Sequence, residues 1–260
     1  MATVTQKHVH NRPDTPKAVA VSAQAPARAA SFSGRLDQIV RLYKEGVAGS
    51  AKAVLEADRL LTQLRADYPN NPLADAYHGG IMILIARDKE KPLEKLRWSK
   101  RGLKLLDGAV AAAPEDTMVR LLRGKAAYKL PEKHFRRTST AIEDYVFLID
   151  QHMRQKGVLK KEEYTQLIYE LGEAYYRVGR NRDAANCWRR LEKDPKYRNI
   201  AKKKLESVKG KPAKEDKPVG GGGGLSTLIG FVARATGSSI LKWVEGEEKK
   251  ARKKRKKRKH

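Results

Sequence analysis

Few residues in this sequence are spaced for chemistry. His8 and His10 stand two apart, a spacing that lets both rings face one metal ion, but their Ala-, Pro-, Thr- and Ser-containing surroundings offer no third ligand. GVAGSAKA (46–53) has the glycines of a phosphate loop without the Gly-Lys-Ser/Thr ending, and no strand precedes it. Gly220 to Gly224, followed by Leu225 and Ser226, could offer backbone N–H groups to an anion; between a Lys/Pro stretch and an amphipathic segment, the run reads as a hinge. Glu143–Asp144 and Glu162–Glu163 are adjacent pairs. On a helix adjacent side chains diverge by about 100°, so neither pair faces one substrate, and both read as solvated faces or first turns. Cys187, the single cysteine, has no disulfide partner within the chain and sits beside Trp188 in an apolar helical pattern, as a small buried hydrophobe does. Arg136-Arg137-Thr138-Ser139 has the form of a basic-directed phosphorylation site. No enzymatic activity, cofactor, metal or small-molecule substrate is expected.

The elements that carry these residues are helices. From residue 36 to about 205, apolar residues recur at three- and four-residue steps, as in Leu55, Leu60, Leu61 and Leu64, or Leu103, Leu106, Ala109 and Val110. Pro69, Pro114, Pro131 and Pro195 fall where helices should stop or start, and Pro92 suits a first turn. No alternating strand pattern is bounded by hairpin turns, so the fold class is all-α. Residues 1–34 read as a disordered arm, 35–208 as the helical domain, 209–224 as a flexible Lys/Pro/Gly linker, 225–244 as an amphipathic helix and 245–260 as a polybasic tail. The first 32 residues hold no apolar run of signal-peptide length, and the longest such run, Ile81 to Ala86, is too short to cross a bilayer. A cytoplasmic protein, at most peripheral to a membrane, is expected.

The helical region repeats. Gly46 precedes Gly80 by 34 residues, and the steps from Gly46 to Pro69 and from Gly172 to Pro195 are both 23. Ala57-x-x-x-Leu61 stands where Ala184-x-x-x-Trp188 stands later. The last unit, Ile168-x-x-Leu171-Gly172-x-x-Tyr175, then Ala184-x-x-x-Trp188 and Pro195, closely resembles the tetratricopeptide (TPR) repeat. Gly172 and Ala184 are small where paired helices approach, and Leu171, Tyr175, Trp188 and Leu191 fill the space between them. Glycines 80, 124 and 172 lie 44 and 48 apart, longer than the family's unit, so loops or helix extensions must be inserted. The resemblance covers about three to four degenerate units over residues 36–200 and implies a right-handed solenoid of antiparallel helix pairs, a non-enzymatic protein–protein interaction scaffold.

In such a solenoid the first helix of each pair lines the inner groove. The stripe outside the packing set gives Tyr77 in the second unit, Lys125 and Tyr128 in the third, and Tyr169, Glu173 and Tyr176 in the last, as a groove for a peptide or helix of a protein partner. Aromatics at helical spacing also arise from core packing, and that reading stays beside the first. Glu173 departs from the Asn and Lys clamp with which some family members grip a C-terminal carboxylate.

Net charge is +26, of which +10 lies in Lys249–Lys259 and about +12 in residues 36–210. Such a field attracts polyanions. Ahead of the tail, Leu228, Ile229, Val232, Ile240 and Trp243 can share one helical face, suited to lying in a membrane interface with Lys253, Lys254, Arg255, Lys256, Lys257 and Arg258 against anionic headgroups. The same basic residues can meet nucleic acid, or serve as a nuclear import signal if the source is eukaryotic, and the amphipathic segment can instead cap the repeat array. An anionic membrane surface and nucleic acid both stay open as partners.

Overall fold

The computed structural model describes the backbone over residues 20–155 and 157–212, and side chains from Phe32 onward. Every regular element among these residues is helical. In order they are α1 (Ala20–Val47), α2 (Ala51–Asp67), α3 (Pro72–Asp88), α4 (Pro92–Ala112), α5 (Thr117–Lys129), α6 (Glu132–Phe135), α7 (Thr138–Arg154), α8 (Lys161–Arg177), α9 (Asn181–Leu191) and α10 (Arg198–Val208). None is long and apolar enough to cross a membrane.

Local sequence fixes most helix starts. Ser50 accepts a hydrogen bond from the Ala53 N–H, Asn71 from Leu73 and Ala74, and Asp116 from Met118 and Val119, each satisfying first-turn donors that otherwise lack partners. Pro72 and Pro92 occupy first turns, where a missing N–H costs nothing. Glu132 caps α7 from outside, accepting from both the N–H and the hydroxyl of Thr138.

α1 begins at Ala20, inside the segment expected to be a disordered arm; six alanines between residues 20 and 30 favour helix, and Phe32 packs edge-on against Tyr68 with ring centres 5.0 Å apart. The long glycine intervals also have a structural source. α4 runs for 21 residues, and the one-turn α6 with the loop before α8 lengthens the next interval.

Consecutive helices form hairpins, α1 with α2, α3 with α4, α5 with α7, and α8 with α9. Between hairpins α2 meets α3, α4 meets α5 and α7 meets α8, while α3 also touches α1 and α5; α10 closes on α9. Two apolar clusters hold the array. The first joins Ile39, Leu61, Leu64, Ile81, Leu106 and Leu122. The second joins Tyr145, Leu148, Leu167, Leu171, Trp188 and Leu191. α5 serves both, giving Val119 and Leu122 to one and Ala127 and Tyr128 to the other. α3 is covered on nearly every side, including Ile81, Met82, Ile85 and Ala86 of the longest apolar run. Such burial is what a helix without a polar face requires.

Two contacts set how closely helices approach. A Cβ on Gly79 would stand 2.7 Å from the Gly102 carbonyl oxygen, and one on Gly102 would stand 2.5 Å from that of Gly79, so α3 and α4 meet backbone to backbone. A Cβ on Gly172 would stand 2.5 Å from Nε1 of the fully buried Trp188, so α8 leaves a gap that the α9 indole fills.

Candidate partner-binding surface

Buried charges add to the apolar contacts that tie α5 to α7 and α8. Asp144 of α7 is fully buried and accepts two hydrogen bonds from Arg123, at 2.8 and 2.7 Å, and one from Arg120 at 3.0 Å. Burial pushes the Asp144 carboxyl up, while Arg123 pulls it back. Glu170 of α8, only 3% exposed, accepts from Lys125 at 2.9 Å, from the Tyr145 hydroxyl at 2.6 Å and from Gln166 at 2.9 Å. Burial first, and then the Glu170 charge, hold the Tyr145 phenol well above its ordinary value, so it stays a donor at neutral pH. Arg177 lies over the Tyr128 ring, 4.3 Å from its centre, and donates to the Tyr128 carbonyl at 2.6 Å.

Lys125 and Tyr128, expected on an open groove, therefore spend their polar and ring surfaces inside the array; Tyr128 is buried, and burial pushes its phenol up to about 12. Tyr77 is buried as well, 5.5 Å from the Tyr43 ring in an edge-on pair, so its place is in the core. The core reading of the aromatic stripe describes these two tyrosines. The reason is crowding: α3 and α5 each have neighbours on two sides, which leaves little of either helix facing outward.

The α8 stripe differs. Tyr169, Glu173 and Tyr176 are half-buried and come together along one face. What covers them in part is the region of α10. Tyr169 lies 5.3 Å from the Tyr197 ring, Glu173 accepts from Lys204 at 2.9 Å, and the Tyr176 hydroxyl meets the Lys211 ammonium at 3.0 Å. Lys204 also stands over the Tyr176 and Trp188 rings. The second carboxylate oxygen of Glu173 is buried with no hydrogen-bond partner among the described residues. Burial raises the Tyr169 phenol. The surface thus presents aromatic rings and one carboxylate along a single helix face.

Sequence reading missed Glu170 and α10. A glutamate one residue after Tyr169 looks like any solvated helix position. The available signal for α10 was Ala201, Leu205 and Val208 at steps of four and three, a short apolar edge among lysines.

Between α2 and α3 a smaller polar cluster holds His78, which is buried. Arg65 can only donate, and it faces Nδ1 at 3.1 Å, which places the ring proton on Nε2 toward Asp58 at 2.9 Å. Among the described residues no group of three or more His, Cys, Asp or Glu is arranged to hold a metal ion. Cys187 is buried and its thiol is pushed up to about 12, so it is not a thiolate at neutral pH. His8, His10, the glycine hinge, the apolar residues from Leu228 to Trp243 and the basic residues from Lys253 to Arg258 lie outside the described residues. No family model matches this chain, and no curated protein matches it.

Proposed function

We propose that this chain is a non-enzymatic, TPR-like protein–protein interaction scaffold whose first-helix face receives an amphipathic helix or peptide carrying lysine. One observation carries the reading: the α8 stripe already binds the chain's own α10 region through ring contacts and the Lys204–Glu173 pair. A surface that holds one basic amphipathic helix has the chemistry to hold another. Met118 on α5, 40% exposed, offers a large apolar side chain to solvent. The hairpin order and the glycine seats at Gly124 and Gly172 are those expected of a TPR-like stacking of the units.

The test places a photo-crosslinking side chain at Met118, at Tyr176 and, as a control, at Arg59 on α2, in the full chain in its native cell. Capture of one protein from the first two positions and not from Arg59 supports the scaffold. Equal capture, or none, at all three positions overturns it.

For the C-terminal segment, the reading rests on sequence: an interfacial helix with Trp243 at headgroup depth beside a polybasic run attaches the scaffold reversibly to an anionic membrane. Flotation with anionic vesicles should fail for a chain ending at Gly224 and weaken sharply for Trp243→Ser. Binding that ignores Trp243 removes the membrane reading.

A further inference from the structure

α4 carries a separate charged surface. Its buried residues Ser99, Gly102, Leu103, Leu106, Ala109 and Val110 form one face. Arg97, Lys100, Arg101 and Lys104 fall at steps of three, one and three on the opposite face, and all four are exposed. From Arg97 to Lys104 the stripe is about 10 Å long at 1.5 Å per residue. Like charges at these steps weaken a helix. Most other arginines of the hairpins are matched: Arg35 with Asp67, Arg59 with Glu56, Arg65 with Asp75, Arg87 with Asp88, Arg120 and Arg123 with Asp144. On α4 the two nearby acids are spent elsewhere, Glu94 on Lys91 and Asp107 on Arg137 and Arg123. Among the described residues, none of the four cations has an acidic partner.

We propose that this stripe is a binding site for the phosphate backbone of a nucleic acid. The four charges crowd within about 10 Å along one face of a rod, which suits a polymer that brings several phosphates into that span better than a single carboxylate. Arg101 lies 5.3 Å from the centre of the Trp98 ring, within reach of a cation–π contact. The other three side chains are unanchored, as in backbone contacts that follow charge and not sequence. A membrane surface would call for large apolar residues between the cations; the exposed large apolar residue in line with them, Leu93, stands at the end of the stripe. This inference is independent of the partner groove, which lies on other helices.

The test uses the full chain, a fluorescent single-stranded oligouridylate and a DNA duplex of equal charge, with anisotropy followed through a salt titration. One variant carries Arg97→Gln, Lys100→Gln, Arg101→Gln and Lys104→Gln. A second removes the same charge from scattered exposed positions, through Arg41→Gln, Lys52→Gln, Arg182→Gln and Lys193→Gln. The tail is common to both and cancels in the comparison. The stripe variant should lose at least about tenfold in affinity and about 2 to 3 in the slope of log affinity against log salt, since each contact with a single strand contributes about 0.7. The scattered variant should lose less than about 1 in slope by the same measure. All eight side chains are exposed, so circular dichroism should match the parent, and the melting temperature should not fall. Equal losses in the two variants, or none in the first, overturn the proposal. So does a stripe variant that binds nucleic acid normally but no longer binds polyglutamate or anionic vesicles, because the site would then serve an acidic protein or a lipid surface.

Discussion

The α3–α4 and α8–α9 hairpins solve the same problem with opposite means. Each must bring two helices close, and each uses glycine. In α3–α4 the glycines face each other, Gly79 against Gly102, and two main chains touch. In α8–α9 a single glycine, Gly172, faces the largest side chain available, Trp188. The first contact can be spoiled only by adding atoms. The second can be spoiled by adding or by removing them. Close approach by subtraction leaves nothing to trim, while close approach by fitting depends on two matched residues.

The largest effect is expected from Trp188→Ala, which empties the centre of the C-terminal cluster; about 4 kcal/mol of unfolding free energy should be lost, measured by urea titration. Asp144→Ala follows, at about 3 kcal/mol, because Arg120 and Arg123 keep their charges with one fewer acid beside them. The glycine pairs then give opposite signs of coupling. Gly102→Ala and Gly79→Ala each press on a carbonyl oxygen, and each should cost about 2 kcal/mol; together they should cost no less than the sum of the two. Gly172→Ala should also cost about 2 kcal/mol, but combined with Trp188→Leu it should cost less than the sum, because the smaller side chain vacates the space. If both double-mutant cycles couple with the same sign, the contrast between the hairpins is wrong.

The remaining prediction concerns pH dependence. Burial pushes Cys187, Tyr43 and Tyr128 each up to about 12, from ordinary values of 9.0 for the thiol and 10.0 for the phenols. Above those ordinary values the unfolded chain releases protons that the folded chain keeps, so the folded state binds more protons and stability falls as pH rises. The fall should begin near pH 9 with the thiol, steepen above pH 10 with the phenols and end near pH 12. Each group contributes about 1.4 kcal/mol per pH unit within its window. Cys187→Ala should move the onset up to about pH 10, where the phenols begin. An onset that does not move would mean that the thiol titrates alike in both states.

The two hairpins also differ in how much of them the sequence made legible. Gly172, Ala184 and Trp188 stand at intervals that a helix pair imposes, and the structure brings Gly172 and Trp188 together. In α3 the pattern pointed to Gly80, yet Gly80 faces Tyr43 and its neighbour Gly79 meets α4. Adjacent residues on a helix point about 100° apart, and the extra turns of α4 erase the interval that would have told them apart. The groove was half legible for a similar reason. Period places a residue on a stripe, but whether another helix covers that stripe depends on residues far away, as Tyr197 and Lys204 are from Tyr169 and Glu173. α6 left no apolar pattern because four residues make one turn.

The burial of α3 bears on how the chain is made. Synthesis runs from the N-terminus, and α1 and α2 can receive one flank of α3 as it appears. Its other flanks wait for α4 and α5, so Ile81–Ala86 stays uncovered while roughly the next forty residues are added. Because the helix contacts run mainly between near neighbours in the chain, that interval is short, and the longest apolar run of the newborn protein is covered early.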